Sequence, residues 1–190
     1  MRATEELVAE HRGIERMLAI LEEVAGRLDA GRKVDEGDLE GMLEFIRVFA
    51  DKCHHAKEEG HLFPAMVQRG VPAESGPIGV MLYEHDLGRE HVRAMGEALA
   101  GAARGERAAA QAFSEHARGY AGLLRDHIAK EDNILYPMAE RVLDRDEDDR
   151  LFEAFERVET EVVGQGRHEE FHRMLDRLEE TYLGKTAAAH

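Results

Sequence analysis

Apolar residues recur at intervals of three and four along almost the whole chain, which is the period of one helical face. Leu7, His11, Ile14, Leu18, Leu21 and Leu28 mark a first helix over about 3–29, with Gly31 just past its end as a C-terminal stop. Asp35 or Asp38 can cap a second helix that runs to about Gly70. Its inward seam reads Leu43, Ile46, Ala50, His54, Glu58, His61 and Ala65. After a loop bracketed by Pro72 and Pro77, a third helix over about 78–103 carries Met81, Leu82, His85, Val92, Met95 and Leu99. Gly101 and Gly105 separate it from a fourth, about 107–143, with the seam Phe113, Ala117, Tyr120, Leu124, His127, Glu131, Ile134 and Met138. Four amphipathic helices with short connections predict an all-α, up-down-up-down four-helix bundle over residues 1–143. Residues 144–190 form a C-terminal helical extension. Two shorter helices, 147–163 and 167–183, are broken at "GQG" (164–166), and they carry Phe152, Phe155, Phe171, Leu175 and Leu178 to pack on the bundle.

Composition narrows the setting. Charged residues make up 34% of the chain and hydrophobic ones 43%, a globular balance. No apolar run approaches the roughly 20 residues of a membrane span. The opening "MRATEELVAEH" has an acidic pair where a signal peptide would have its apolar core. The single cysteine cannot form an internal disulfide, so a reducing cytoplasm is the expected location. A formal net charge of −15 argues against nucleic acid as a partner, because phosphate binding needs a basic face. Oligomeric state stays open between monomer and homodimer. The 11 histidines are many for this length, and they turn attention from a solvated acidic surface to bound cations.

A repeat organises those histidines. "CHHAKEEGHLFPAM" (53–66) aligns without a gap on "DHIAKEDNILYPMA" (126–139), and "EH" at 10–11 is echoed at 84–85. The chain reads as a duplicated helix hairpin. His54 matches His127 and Glu58 matches Glu131, whereas His55 faces Ile128 and Glu59 faces Asp132. The repeat therefore favours His54 and Glu58 as ligands over His55 and Glu59. Within each copy the spacing is H-x-x-x-E, which places both side chains on one helical face a turn apart. His11 and His85 complete the set. A lone histidine on an apolar seam is usually a hydrogen-bonded core residue. Two carboxylates on buried seams are harder to explain that way, because an unpaired buried carboxylate is expensive.

Imidazole and carboxylate ligands without thiolate favour iron, ahead of manganese or zinc. The set exceeds what one ion with an open position needs. It suits two non-haem iron ions bridged by Glu58 and Glu131 and by an oxo or hydroxo group, with one or two positions left for dioxygen, peroxide or nitric oxide. His61, beyond Glu58 on the predicted face, is a further candidate, either as a metal ligand or as a core histidine bonded to a ligand carboxylate.

"EH" at 10–11, "HHAKEEGHLFP" at 54–64, "EHDLGREH" at 84–91 and "HIAKEDNILYP" at 127–137 together resemble the hemerythrin family in its HHE cation-binding branch. The resemblance covers about residues 3–143. It implies a four-helix bundle around a non-haem di-iron centre, with His11, His54, His85 and His127 as terminal ligands and Glu58 and Glu131 as bridges. Two departures set the chain apart from the oxygen carriers of that family. Arg89 stands where they have a histidine, and the fourth helix has H-x-x-x-E rather than H-x-x-x-x-D. The pattern is closer to the bacterial iron-centre repair proteins, although the cysteine-bearing N-terminal segment of those proteins is missing from this sequence.

Other residues carry less. "HEEFH" at 168–172 matches the H-E-x-x-H pattern of zinc peptidases, but only Glu179 and Glu180 follow as helical third ligands. Tyr83 and Tyr120 could donate to a metal-bound group or fill the core. Cys53 reads as a buried filler or a thiol open to modification beside the site. The expected function is binding of a small oxidant at the di-iron centre, with an unidentified redox partner. The alternative is an iron or redox sensor, or an iron-handling protein, whose metal state alters the C-terminal extension.

Overall fold

The computed structural model describes residues 1–164 and 166–184. Among them there is no strand, and helices form the predicted bundle. α1 is Arg2–Asp29, and Gly31 follows it at φ 68°, where a side chain would be strained. α2 (36–68) is a continuous rod capped by Asp35, whose side chain accepts from the Asp38 amide. α3 is Gly76–Ala103, with Pro77 in its first turn, where a missing N–H costs nothing. α4 spans 107–142. Consecutive helices run antiparallel, α1 packing on α2 and α4, and α3 closing the bundle against the same two.

Two of these rods change their winding at matching places. α2 is π-helical over Ile46–His55 and Glu58–Leu62, and α4 over Glu131–Leu135. In a π turn the hydrogen bond runs i→i+5, so each turn holds more residues than in an α-helix. The inward seam therefore slips one residue beyond each glutamate. Leu62 and Leu135 are fully buried. Ile134, expected on the seam, is 53% exposed, and its repeat mate His61 is turned off the seam as well. Leu82 and Tyr83, also candidates for the interior, are exposed, whereas Tyr120 is buried.

The core divides into two apolar clusters. One includes Leu18, Leu21, Phe45, Met95 and Phe113; the other includes Leu7, Leu62, Phe63, Met81 and Leu135. The residues that carry the candidate chemistry lie at the junction of these clusters in sequence on every helix of the bundle.

The extension packs on α1 and α2. α5 (145–164) opens with a capping box in which Asp144 and Glu147 satisfy each other's backbone amides. It sends Leu151 and Phe155 into the second cluster. α6 is Arg167–Leu183 and contributes Phe171, Leu175, Leu178 and Tyr182 to the first cluster. The Tyr182 hydroxyl donates to Asp38 at 2.6 Å, and Arg16 of α1 reaches Asp176 at 2.6 Å. Of the expected break, Gly164 and Gly166 both have positive φ, while Gln165 lies outside the described residues, as do 185–190.

Candidate metal centre

Each helix of the bundle delivers a histidine to a common layer, and α2 delivers two, His54 and His55. Nε2 of His11 lies 3.0 Å from Nε2 of His54, and Nε2 of His85 lies 3.1 Å from Nε2 of His127. Two carboxylates sit between these pairs. Glu131 places one oxygen 3.2 Å from His11 Nε2 and the other 3.0 Å from His127 Nε2. Glu58 Oε2 is 3.5 Å from His85 Nε2 and 3.8 Å from His54 Nε2. Both glutamates open a π turn, one turn along the helix from His54 and His127. The chain thus gathers His11, His54, Glu58, His85, His127 and Glu131, all buried.

The opposite nitrogen of each histidine is engaged by a carboxylate. Nδ1 of His54 pairs with Glu10 at 2.8 Å, and Nδ1 of His127 with Glu84 at 2.9 Å. Nδ1 of His11 pairs with Asp132 at 2.8 Å, and Nδ1 of His85 with Glu59 at 2.6 Å. These acids are repeat mates. Glu10 and Glu84 precede the ligand-type histidines in the two "EH" pairs, and Glu59 and Asp132 follow Glu58 and Glu131. Glu59 and Asp132, set aside as ligands, thus hold two of the histidine rings. They fix the imidazole rings with Nε2 aimed inward, as carboxylates do around metal-binding histidines. Lys57 anchors one of these acids in turn, donating to Glu10, Glu6 and Glu159 at 2.6 Å each, and Lys130 donates to Glu84.

The inward atoms have no such partners. Glu58 Oε2 and both oxygens of Glu131 are buried without a hydrogen bond, as are both ring nitrogens of His55. Carboxylate oxygens in that state cost several kcal/mol by order of magnitude unless a cation meets them. Burial and the neighbouring Glu131 push Glu58 up to about 7. Glu131 goes the other way: burial is outweighed by His127 and His11, which hold it well below the usual carboxylate range. Burial disfavours charge on His11, yet Asp132 and Glu131 raise it to about 10; Glu58 and Glu59 likewise raise His85 to about 9 against its burial.

Two of the residues that differ between the halves face the centre. The Tyr136 hydroxyl donates to Glu58 Oε1 at 2.9 Å and lies 3.3 Å from His11 Nε2, while its ring stacks on His11. Its mate Phe63 stacks on His85 but has no hydroxyl. His55, passed over because its mate is Ile128, stacks on His85 with centroids 3.8 Å apart. It joins Glu58, His85 and His127 in one group whose donor atoms could hold an ion; His11, His54 and Glu131 form the other. The π winding around 46–55 brings adjacent His54 and His55 both inside, which periodicity could not foretell.

His61 is not brought to the centre. Its ring lies 6.4 Å from that of Phe155 on α5, and burial and Arg157 lower its pKa. Three residues past Glu58 would nearly complete an α turn but fall short in a π turn. Arg89 instead binds Asp51 at 2.7 Å and Glu59 at 2.8 Å on the flank of the site. His168 and His172 do not converge as a peptidase pair. His168 Nε2 stands 3.6 Å from Cys53 Sγ, grouped with Glu10 and Glu159, and His172 faces Phe49.

Comparison with known proteins agrees with this geometry. The chain is 27% identical over 163 residues to Uncharacterized protein Rv1995 of Mycobacterium tuberculosis and Uncharacterized protein Mb2018 of Mycobacterium bovis. The match covers 86% of this chain and 63% of each relative, so the chain spans less than two thirds of their length. No solved structure matches it at a significant level. The family profile described as hemerythrin HHE cation binding domain matches residues 2–139, nearly all of the bundle, and the chain belongs to that cation-binding family.

Proposed function

We propose that the bundle holds two non-haem iron ions and binds a small oxidant there: dioxygen, peroxide or nitric oxide. One observation carries this reading. Each of the two buried carboxylates lies between a histidine of one group and a histidine of the other, Glu131 between His11 and His127, Glu58 between His54 and His85. Such placement suits a carboxylate shared by two ions. His11 and His54 would hold one, and His85 and His127 the other, with His55 beside it. Donors are nitrogen and oxygen only, a set that iron and manganese accept readily. The ions would supply the redox equivalents and the site for the oxidant.

This chain's own residues do the rest. Glu10, Glu59, Glu84 and Asp132 keep the imidazole Nδ1 atoms occupied, so that Nε2 faces the ions. The apolar layers on either side exclude bulk water. Tyr136 keeps a hydroxyl proton beside Glu58 and His11, where a bound polar ligand could accept it. The test is exposure of the reduced, iron-loaded protein to each of the three oxidants. A change in the visible spectrum with at least one supports the reading, and none with any refutes it.

A second reading has its own support. Glu159 and His168 of the extension meet Glu10, Cys53 and Lys57, and Glu10 holds His54. A chain of contacts thus runs from the centre to the extension, as a sensor of metal state requires. Limited proteolysis with and without iron separates the two readings: equal cleavage of the extension in both states counts against the sensor.

A further inference from the structure

A cavity of about 290 Å³ lies between α2 and α3 on the flank of the centre. Its inner end is formed by His55 and His85, and its walls by Ile46, Gly88, Val92 and Tyr120, all buried. Exposed Arg47 and Arg93 stand at its rim, with the half-buried Arg89 and Asp51 between. A diatomic molecule needs about the 30 Å³ of one water, so this cavity has room for roughly ten such groups. It sits near the lower end of the range of about 300–1,000 Å³ seen for organic ligands.

Charge at the rim has a sign. In a chain with a net charge of −15, three arginines and a single carboxylate line this cavity. Asp51 and Glu59 hold Arg89, which leaves Arg47 and Arg93 as the surplus. Guanidinium groups recognise carboxylates and phosphates alike. Asp51 opposes a dianion, and the apolar walls give an organic body somewhere to go. At the inner end, His55 is 3% exposed and neither of its ring nitrogens has a hydrogen-bond partner. The four other histidines of the layer are each fixed by a carboxylate at 2.6–2.9 Å, whereas the carboxylate facing His55, that of Asp51, stands 3.5 Å from its Nδ1.

We propose that this cavity binds a small organic monocarboxylate, its carboxylate on Arg47 and Arg93 and its apolar body reaching inward to His55 and His85. That the far end of the ligand then lies beside an iron ion rests on the function proposed above. The binding itself does not.

Hexanoate is the probe, with hexanamide as its neutral counterpart, titrated calorimetrically into the full chain both metal-free and iron-loaded. Saturable one-to-one binding of hexanoate and none of hexanamide is expected. Arg47→Gln and Arg93→Gln, surface changes outside the metal set, should each weaken binding by about tenfold, the loss of one charge-assisted contact. Gly88→Phe should abolish it, since a Cβ there fits at 3.5 Å from the Tyr120 ring but a larger side chain must enter the cavity. No binding of hexanoate to either form overturns the proposal, as does unchanged affinity when both arginines are replaced. Inorganic phosphate displacing hexanoate at equal affinity overturns the assignment to a monocarboxylate. Iron content, measured on the same samples, is read separately. Hexanoate bound by protein that takes up no iron sustains the cavity and refutes only the di-iron reading.

Discussion

Tyr136 and Phe63 occupy matching positions in the two halves of the bundle, each stacked on a histidine of the central layer, but only Tyr136 carries a hydroxyl into it. Phe63 shows that a phenylalanine fits the equivalent position. Tyr136→Phe should therefore fold. It leaves Glu58 Oε1 buried without its donor, which costs about 1–3 kcal/mol in the metal-free protein. Chemical denaturation of metal-free wild type and variant measures the difference. An unchanged midpoint would mean that the hydroxyl contributes nothing to the layer.

The four acids on the imidazole Nδ1 atoms should matter in pairs. Glu84→Gln and Glu59→Gln keep the shape but weaken the hold on His127 and His85. Each should lower metal affinity by about 10–100-fold, the usual effect of losing such a support. Competition with a chelator of known affinity reads this directly. Glu10→Gln should cost more than Glu84→Gln, because Glu10 pairs with the fully buried Lys57, which keeps only Glu6 and Glu159, whereas the lysine on Glu84, Lys130, can turn to solvent.

His55 and His61 give a contrast within one segment. His61→Ile copies the repeat mate Ile134 and should leave metal content unchanged. His55→Ile copies Ile128 and should alter affinity or spectrum, since His55 stacks on His85 inside the layer. Metal content and visible spectra of the two purified variants decide it; the opposite pattern would return His61 to the centre.

That contrast marks where the sequence stops being legible. Helix periodicity and the duplicated motif were enough for the bundle and for His11, His54, Glu58, His85, His127 and Glu131, because residues four apart meet on a face in either winding. The π turns were not legible. No periodic pattern marks them, and they moved His55 in and turned His61 and Ile134 outward. The outer acids were visible as letters in the repeat, yet comparing Glu59 with Asp132 for ligand type concealed that both are acceptors. Nor could sequence place Glu159 and His168 beside Glu10, since nothing local links the extension to α1.

Acid should loosen the extension before the bundle. Asp144 is held below the ordinary carboxylate range by the Glu147 amide and Arg69, and Glu147 by Arg69. With folded-state values depressed, the unfolded chain binds more protons in acid. The stability these groups contribute is complete above the unfolded values of about 4 and is lost as pH falls through the folded ones. Protease cleavage near α5 should rise below about pH 4. Asp144→Asn should show part of that rise already at neutral pH, and a flat profile would exclude the cap as an anchor.

The central claim is that Glu58 and Glu131 are shared between two ions. Quantification of bound metal per chain, with the visible spectrum of the same sample, tests it most directly. Two iron ions per chain with charge-transfer absorption are expected, and loss of both ions together in Glu131→Ala. A single ion per chain, or zinc without visible absorption, would contradict it.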